Sequence, residues 1–123
     1  MYTLDTNVVI YYLKKDDSAR KFLEPLVGRG MRPHLSAISE AELYAHPSLS
    51  SEEASLIAGV VSALSVVPID SAIAQTAGYL KGTYRIGLAD ALVAATALST
   101  GTVLATRNVR DFQRISSLSL QKI

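Results

Sequence analysis

The sequence predicts an α/β fold, a three-layer α/β/α sandwich built on a mainly parallel sheet of roughly five strands. Short apolar segments alternate along the chain with longer helical patterns, and strands joined through helices pair in parallel by right-handed crossovers. With 123 residues, 49% of them hydrophobic, the chain is long enough to bury an ordinary core. We therefore expect a single domain spanning residues 1–123.

The first third of the chain predicts two strands with two helices between them. Tyr2–Leu4 has the apolar character of a short buried strand, and residues 7–15 continue as a helix. A second helix, from about residue 18, is expected to be disturbed at Pro25, which has no backbone donor, and to end at the glycines that follow. Pro33–Ile38 is the second predicted strand.

Two serine–glutamate pairs mark helix starts in the middle of the chain. Ser39 and Glu42 have the S-x-x-E spacing of a capping box, which predicts a helix with Glu42 in its first turn. Ser50 and Glu53 repeat the spacing and open a helix that runs to about residue 64. The brief, β-branched segment Ser65–Ile69 follows as the third strand.

The last third predicts two helices and two strands. Asp70 can cap a helix over residues 72–83, and Leu88–Leu98 is a helix that is apolar on all sides and is closed by Gly101. The remaining strands are Thr102–Ala105 and, at an edge of the sheet, Leu118–Leu120.

Acidic side chains lie where such a sheet places its binding sites. Asp5 follows the first strand, and Asn108 and Asp111 follow the fourth. Glu42 opens the helix after the second strand, and Asp90 lies in the first turn of the apolar helix, which begins at the same sheet edge. Because ligands of open α/β sheets bind beyond the carboxyl ends of the strands, we expect the four carboxylates to converge there.

Each acid also has a purely structural interpretation. Asp5 can cap the first helix, Glu42 can be only a member of a capping box, and Asp111 can be a turn residue. Asp90 is harder to explain in this way, because the neighbouring helical turns offer it no polar face. A buried carboxylate is costly unless an arginine from elsewhere in the fold or a cation compensates its charge.

The chemistry of the acidic set favours a hard cation. The chain has no cysteine and the set contains no histidine, so the ligands are oxygens, which suit Mg²⁺ or Mn²⁺. Mg²⁺ prefers phosphate co-ligands, and such a site can activate a bound water and stabilise a leaving oxygen. The acids therefore predict hydrolysis of a phosphodiester.

Four segments carry a family resemblance. They are LDTNVVIYYL at 4–13, ISEAELYAH at 38–46, ADALVAATAL at 89–98 and LATRNVRDF at 104–112. In this order and spacing the chain resembles the PIN-domain ribonucleases over nearly its whole length, most closely the VapC-type toxins of type II toxin–antitoxin pairs. The resemblance implies a PIN-like fold and Mg²⁺- or Mn²⁺-dependent cleavage of RNA.

The resemblance also implies roles for individual residues. Asp5, Glu42 and Asp90 match the catalytic, metal-binding acids of the family. Thr6 and Asn7 match the polar residues that follow the first acid, and the Thr6 hydroxyl is expected to support the site.

The fourth acidic position of the family varies and falls in the LATRNVRDF segment. We predict Asp111 as the fourth catalytic and metal-binding acid, with Asn108 as a supporting neighbour. Glu40 competes with Glu42 for the second position, and we prefer Glu42 because the acid of the family directly precedes a leucine.

Partners follow from the same resemblance. It implies a homodimer, an RNA substrate and a small cognate antitoxin that inserts into or covers the site. The chain departs from the family pattern in a short segment between Asp70 and Asp90, with Gly87 and Leu88 where a proline is common. This departure affects the details of dimer and substrate contacts and leaves the chemistry in place.

Other interpretations are weaker. A phosphatase of the aspartyl-phosphate type needs a second aspartate where Asn7 stands, and a receiver needs a lysine where Arg107 follows the late strand. A histidine-based ribonuclease needs a convergent pair, and the chain offers only His34 and His46. A non-catalytic RNA- or protein-binding module with the PIN fold, or a housekeeping RNA-processing nuclease, stays open as an alternative.

We expect a cytoplasmic protein without a membrane partner. The longest apolar stretch, Leu56–Ile69, is interrupted by polar residues and proline and is shorter than the ~20 residues that cross a bilayer. The start of the chain lacks the basic and continuous apolar regions of a signal peptide, because Asp5 comes early.

Overall fold

The computed structural model describes residues 1–123 and contains five strands and seven helices. The strands are β1 (Tyr2–Leu4), β2 (His34–Ser36), β3 (Ser65–Val67), β4 (Val103–Thr106) and β5 (Leu120–Lys122). The helices are α1 (Thr6–Leu13), α2 (Asp17–Gly28), α3 (Ala37–Tyr44), α4 (Ser51–Ser62), α5 (Ser71–Tyr84), α6 (Leu88–Thr100) and α7 (Val109–Phe112). All strand pairs are parallel, in the order β3-β2-β1-β4-β5, so the predicted α/β sheet is confirmed and is wholly parallel.

Each face of the sheet is covered by its own apolar core. On one face, Leu4, Leu35 and Ala105 of the strands pack with apolar residues of α1, α2, α3 and α4. On the other face, Leu104 packs with α5, with the apolar helix α6 and with Phe112 of α7. Burial on both faces is the usual condition of a parallel sheet, and it produces the predicted three layers.

The strand order creates a switch point between β1 and β4. The chain passes from β1 to β2 and β3 on one side and then returns to place β4 on the other side of β1. The Asp5 amide donates to the Ala105 carbonyl over 3.0 Å, which extends the pairing one residue beyond β1. Side chains that follow β1 and β4 are therefore neighbours, at the place where open α/β sheets bind ligands.

The second strand is shorter than predicted, and this changes the start of α3. The strand ends at Ser36, whose hydroxyl accepts a hydrogen bond from the Ile38 amide over 3.3 Å and caps α3. The predicted capping box of Ser39 and Glu42 is therefore wrong, since Ser36 supplies the cap three residues earlier. Glu42 occupies the sixth of eight helical positions and not the first turn.

The other helix ends follow the sequence more closely. Ser50 and Glu53 form the predicted capping box, Asp70 caps α5, and Gly101 closes α6 in the left-handed conformation with φ 63°. Helix α2 continues through Pro25 to Gly28, so the predicted disturbance is absent. The last strand lies two residues later than predicted, and the short helix α7 was not anticipated. None of the seven helices combines the length and the apolar composition needed to span a bilayer.

Candidate active site

Asp5 and Thr106 form the centre of the site at the switch point. Asp5 is buried at the N-cap position of α1, yet its carboxylate makes no capping hydrogen bond. Instead, the buried Thr106 hydroxyl at the end of β4 donates to Asp5 Oδ2 over 2.8 Å. Asp5 therefore starts the helix through its extended backbone only, and its side chain is directed to the neighbouring strand.

Thr6 links the start of α1 to α3. Its Oγ1 atom lies 2.8 Å from Glu42 Oε1 and 2.7 Å from Ser39 Oγ. A hydroxyl has one hydrogen and an ionised carboxylate only accepts, so Thr6 donates to Glu42 while the Ser39 hydroxyl can supply the other donor. Ser39 and Thr6 are buried and Glu42 is exposed, so the network directs a fixed carboxylate outward from the sheet edge.

The turn after β4 carries the fourth acid. The backbone amide of Asn108 donates to Thr106 Oγ1 over 2.9 Å. The side-chain amide of Asn108 donates to Asp111 Oδ2, also over 2.9 Å. Thr106 thus connects Asp5 to the turn, and Asn108 connects the turn to Asp111 in the first turn of α7. The Asn108 side chain thus holds the Asp111 carboxylate beside the end of β4.

Asp90 lies in the first turn of α6, as the sequence predicts, but it is half-buried and not fully buried. It makes no hydrogen bond and no ion pair. Burial raises its pKa above the ordinary value, and the negative charges of Asp111 and Glu42 raise the pKa further. The three carboxylates are therefore within electrostatic range of one another.

Asp5 belongs to the same electrostatic group. Burial raises the pKa of Asp5, and the hydrogen bond from Thr106 partly opposes that rise. The charges of Asp90 and Glu42 then raise the pKa of Asp5 again. The structure therefore brings Asp5, Glu42, Asp90 and Asp111 to one edge of the sheet, from four separate parts of the chain.

No basic side chain compensates this negative charge. The two ion pairs of the chain join Arg20 to Glu24 and Arg107 to Asp16, and neither includes one of the four site acids. An arginine partner, which the sequence left open for Asp90, is therefore not realised. The charge excess and the all-oxygen donor set fit a hard cation such as Mg²⁺ or Mn²⁺.

The acids are near one another without enclosing a finished ligand cage. No group of three or more acidic or histidine side chains is arranged to hold an ion as the side chains stand. Glu42 and Asp111 are both exposed, and each accepts one hydrogen bond, from Thr6 and from Asn108. The residues thus fit the ion in charge and chemistry, although they do not form a closed set of ligands as they stand.

Two other candidates stay outside the hydrogen-bond network. Asn7 is exposed and its side chain makes no hydrogen bond, although it was predicted to support the site. Glu40 makes no hydrogen bond to Thr6, which favours Glu42 as the second acid. His46 accepts from the Ser48 amide in a surface turn and is no part of the acidic group.

Two hydroxyl side chains at the site, those of Ser39 and Thr106, are not among the residues predicted from the sequence. Both are fully buried and both contact the residues that fix an acid. Their signal in the sequence is a small polar residue close to the end of a predicted strand, a position where open parallel sheets place binding residues. The capping-box interpretation concealed this signal at Ser39.

Of two grooves on the surface, one lies away from the four acids and the other reaches only Glu42. A groove of about 1000 Å³ runs between α2 and α4 and contains none of the four site acids. A second groove of about 510 Å³ between α1, α3 and α4 reaches Glu42 at one end. The exposed side chains of Glu42 and Asp111 leave this edge open, which suits a polymeric substrate better than an enclosed cavity.

Fold and site together define an α/β protein with an acidic centre at the switch point of a parallel sheet. The family model of the PIN domain matches residues 2–118, and the chain belongs to the PIN domain family. A comparison with curated proteins gave no match. The predicted family is thus confirmed.

Solved structures with the same fold include chains of VapBC. A chain of VapBC2 from Rickettsia felis, bound to a DNA fragment from its promoter, is 28% identical with a TM-score of 0.85, covering 99% of this chain and 98% of that chain. A chain of DNA-bound VapBC from Salmonella typhimurium is 28% identical with a TM-score of 0.84, covering 98% and 96%. A chain of VapBC-1 from nontypeable Haemophilus influenzae is 28% identical with a TM-score of 0.78, also covering 98% and 96%. These similarities support the predicted class, a VapC-like PIN-domain nuclease.

Proposed function

We propose that this protein is a Mg²⁺- or Mn²⁺-dependent endoribonuclease and acts as the toxin of a toxin–antitoxin pair. The observation that carries the proposal is the convergence of Asp5, Glu42, Asp90 and Asp111 without a compensating base. Membership of the PIN domain family and the similarity to chains of VapBC complexes support the same conclusion.

The four acids are the proposed metal ligands. When bound, the cation polarises a phosphoryl oxygen and stabilises the charge that develops on the leaving oxygen. Asp90 is half-buried and forms no ion pair, so its oxygens are available to the cation. Asp5 is held by Thr106 and keeps a fixed orientation toward the site.

The threonines hold the acids in place. Thr6 orients Glu42, and Thr106 orients Asp5 while it also accepts from the turn that carries Asp111. Residues that hydrogen-bond to metal ligands set the orientation of those ligands, and their loss commonly costs ~10–100-fold in activity or metal affinity. Asn7, which the sequence predicts as a supporting residue, has an exposed side chain that is available to substrate.

The proposed partners are an RNA substrate, a cognate antitoxin and a second copy of this chain. The antitoxin is supported by the structural neighbours, which are VapBC and toxin–antitoxin complexes. The homodimer and the cytoplasmic location rest on the family resemblance and the sequence. Light scattering of the purified chain measures the oligomeric state directly, and a monomer at micromolar concentration contradicts the dimer.

The nuclease proposal is tested with purified protein and a structured RNA. Cleavage is expected with Mg²⁺ or Mn²⁺ and none with EDTA. Asp5→Asn is expected to abolish cleavage, whereas Asp17→Asn, a change of an exposed aspartate in α2, serves as the matched control and keeps full activity. Equal inactivity of the wild-type protein and Asp5→Asn, or cleavage that persists in EDTA, rules out the metal-dependent nuclease.

The toxin role is tested separately by induced expression in a bacterial host. Growth arrest is expected for the wild-type chain and is lost in Asp90→Asn at equal protein levels. Cleavage in vitro without growth arrest favours a housekeeping RNA-processing nuclease. RNA binding without cleavage favours the non-catalytic module.

A further inference from the structure

We propose that Arg107 is a positioning residue, which fixes the turn after β4 against α1 and α2 and so holds Asp111 at the site. The inference rests on the proposed function for its catalytic consequence. Its geometric part, the attachment of the turn, depends only on the contacts of Arg107.

Arg107 lies between the two residues that organise the turn. Thr106 on one side bonds to Asp5, and Asn108 on the other side bonds to Asp111. The Arg107 side chain itself forms an ion pair with the Asp16 carboxylate. Its guanidinium also covers the Tyr11 ring, with Cζ 4.1 Å from the ring centroid.

Asp16, which holds the Arg107 side chain, is itself held in place by a hydrogen bond. Asp16 is the N-cap of α2, and its Oδ2 atom accepts from the Ala19 amide over 3.0 Å. The Ala19 amide and then the Arg107 side chain lower the pKa of Asp16, so this carboxylate stays ionised. A capping carboxylate has its orientation set by the helix, which makes it a firmer partner than a freely rotating surface acid.

The contacts attach the turn to α1 at two points. Asp5 precedes the helix and binds Thr106, while Tyr11 in its last turn and Asp16 beyond its end hold Arg107. Two adjacent residues of the chain are thus fixed to opposite ends of one rigid helix. These contacts to one helix of eight residues restrain the backbone between Thr106 and Arg107.

Arg107 acts through its neighbours and does not contact the acids. Its guanidinium is occupied by Asp16 and Tyr11, and it makes no ion pair with a site carboxylate. In the ion pair with Asp16, the Arg107 side chain is 29% exposed and the Asp16 side chain is 30% exposed. In the other ion pair, Arg20 Nε lies 3.7 Å from Glu24 Oε2, and the two side chains are 48% and 51% exposed. Exposed pairs of this kind contribute little to stability. Arg20→Ala is therefore the matched control.

The experiment compares Arg107→Ala, Arg107→Lys and Asp16→Asn with the wild-type chain and with Arg20→Ala. Asn caps helices as well as Asp does, so Asp16→Asn removes the ion pair and keeps the cap. Three quantities are measured: kcat and KM on a short RNA, the Mn²⁺ Kd by electron paramagnetic resonance without RNA, and hydrogen exchange of the turn that contains Asn108.

For Arg107→Ala we expect about a tenfold loss in kcat and about a tenfold weaker Mn²⁺ Kd, the lower end of the effects of supporting residues. KM stays near the wild-type value, and the Asn108 amide exchanges faster. Arg107→Lys is expected to recover part of the loss, because lysine keeps the charge but not the planar stacking on Tyr11. Arg107→Ala combined with Asp16→Asn is no worse than Arg107→Ala alone, since both remove the same contact.

The outcomes separate this inference from the proposed function. If the wild-type protein cleaves RNA and Arg107→Ala keeps its kcat, Mn²⁺ Kd and exchange rates, Arg107 does not position the turn. A raised KM with unchanged kcat and Mn²⁺ Kd assigns Arg107 to RNA binding and also overturns the inference. If the wild-type protein does not cleave RNA, the proposed function fails, while Mn²⁺ affinity and hydrogen exchange still decide the role of Arg107.

Discussion

The Thr106 hydroxyl donates to the Asp5 carboxylate over 2.8 Å, although the two residues are 101 positions apart in the chain. Both side chains are buried, and the bond joins the ends of two neighbouring parallel strands. It is the contact that partly offsets the effect of burial on the pKa of Asp5. The first acid of the site is thus maintained by a residue from the opposite end of the sequence.

Thr106→Val is expected to raise the pKa of Asp5, because the substitution removes the hydrogen bond that lowers it. The acid limb of the profile of kcat/KM against pH then moves to higher pH, since Asp5 must be ionised to bind the cation. We expect about a tenfold loss of activity at neutral pH. A buried acceptor without its donor also costs about 1–3 kcal/mol of unfolding free energy.

Thr106→Ser is the control for that substitution. It keeps the hydroxyl and removes only a methyl group, so the acid limb should stay in place. A Thr106→Val profile that coincides with the wild-type profile contradicts a role of this hydrogen bond in the ionisation of Asp5.

Asp5→Asn and Asp90→Asn are expected to remove activity and to stabilise the metal-free fold relative to the wild-type protein as pH rises. Folding raises both pKa values above the ordinary 3.8, so the folded state binds more protons than the unfolded state between 3.8 and the raised values. The stability that these acids contribute is complete below pH 3.8 and is lost as pH rises through the raised values. Chemical denaturation in EDTA from pH 3.5 to pH 8 measures the difference.

Asp16→Asn is expected to change the stability of the fold with pH in the opposite direction. Folding lowers the pKa of Asp16, so its contribution is present above pH 3.8 and is lost as pH falls through the lowered value. Asp16→Asn should therefore be less stable than the wild-type protein at neutral pH and should approach it in acid. Parallel pH dependence of the Asp16 and Asp90 variants contradicts the electrostatic assignment of the site.

Mn²⁺ or Mg²⁺ is expected to raise the Tm of the wild-type protein, and EDTA is expected to reverse the rise. A ligand at about 100 times its Kd adds ~2.7 kcal/mol to the unfolding free energy. Asp90→Asn removes one proposed ligand and the charge that the cation neutralises, so its Tm should respond little. An equal Tm rise in both proteins places the ion away from the four acids.

Thr6→Val is expected to lower activity by ~10–100-fold, because it removes the donor that orients Glu42. Thr6→Ser keeps the hydroxyl and should retain most of the activity. Ser39→Ala removes only the second contact of the Thr6 hydroxyl, at 2.7 Å, and should have a smaller effect. Cleavage assays at saturating Mn²⁺ rank the activities of the three variants. Full activity of Thr6→Val contradicts a role of the Thr6 hydroxyl in orienting Glu42.

Asp111→Asn is expected to lower the cleavage activity more than Asn108→Ala does. Burial raises the pKa of Asp90, and the charge of Asp111 raises it further, whereas Asn108 only holds the Asp111 carboxylate. Asp111→Asn should therefore lower the pKa of Asp90, which NMR titration of the side-chain carboxyl measures. If Asn108→Ala loses more activity than Asp111→Asn, the fourth position belongs to Asn108.

Local patterns in the sequence predict most elements of this fold. Alternation of apolar strands and helices predicts the parallel sheet. Helix ends are predicted by the capping box at Ser50, by Asp70 and by Gly101, because these signals act within a few residues. The capping box predicted at Ser39 is wrong because a competing cap lies only three residues away. Ser36 has the same capping chemistry three residues earlier and is placed by its pairing with Val67 of a neighbouring strand, which the local pattern does not contain.

The fold class, the family resemblance and the four candidate acids can all be predicted from the sequence. The donors that fix three of those acids are visible only in the folded chain: Thr106 for Asp5, Thr6 for Glu42, and Asn108 for Asp111. The tertiary structure also decided that Asp90 lacks an arginine partner and that Arg107 is held by Asp16. The physical reason is that a side-chain hydrogen bond or ion pair depends on a few ångströms between distant segments, and strand order and side-chain direction set that distance.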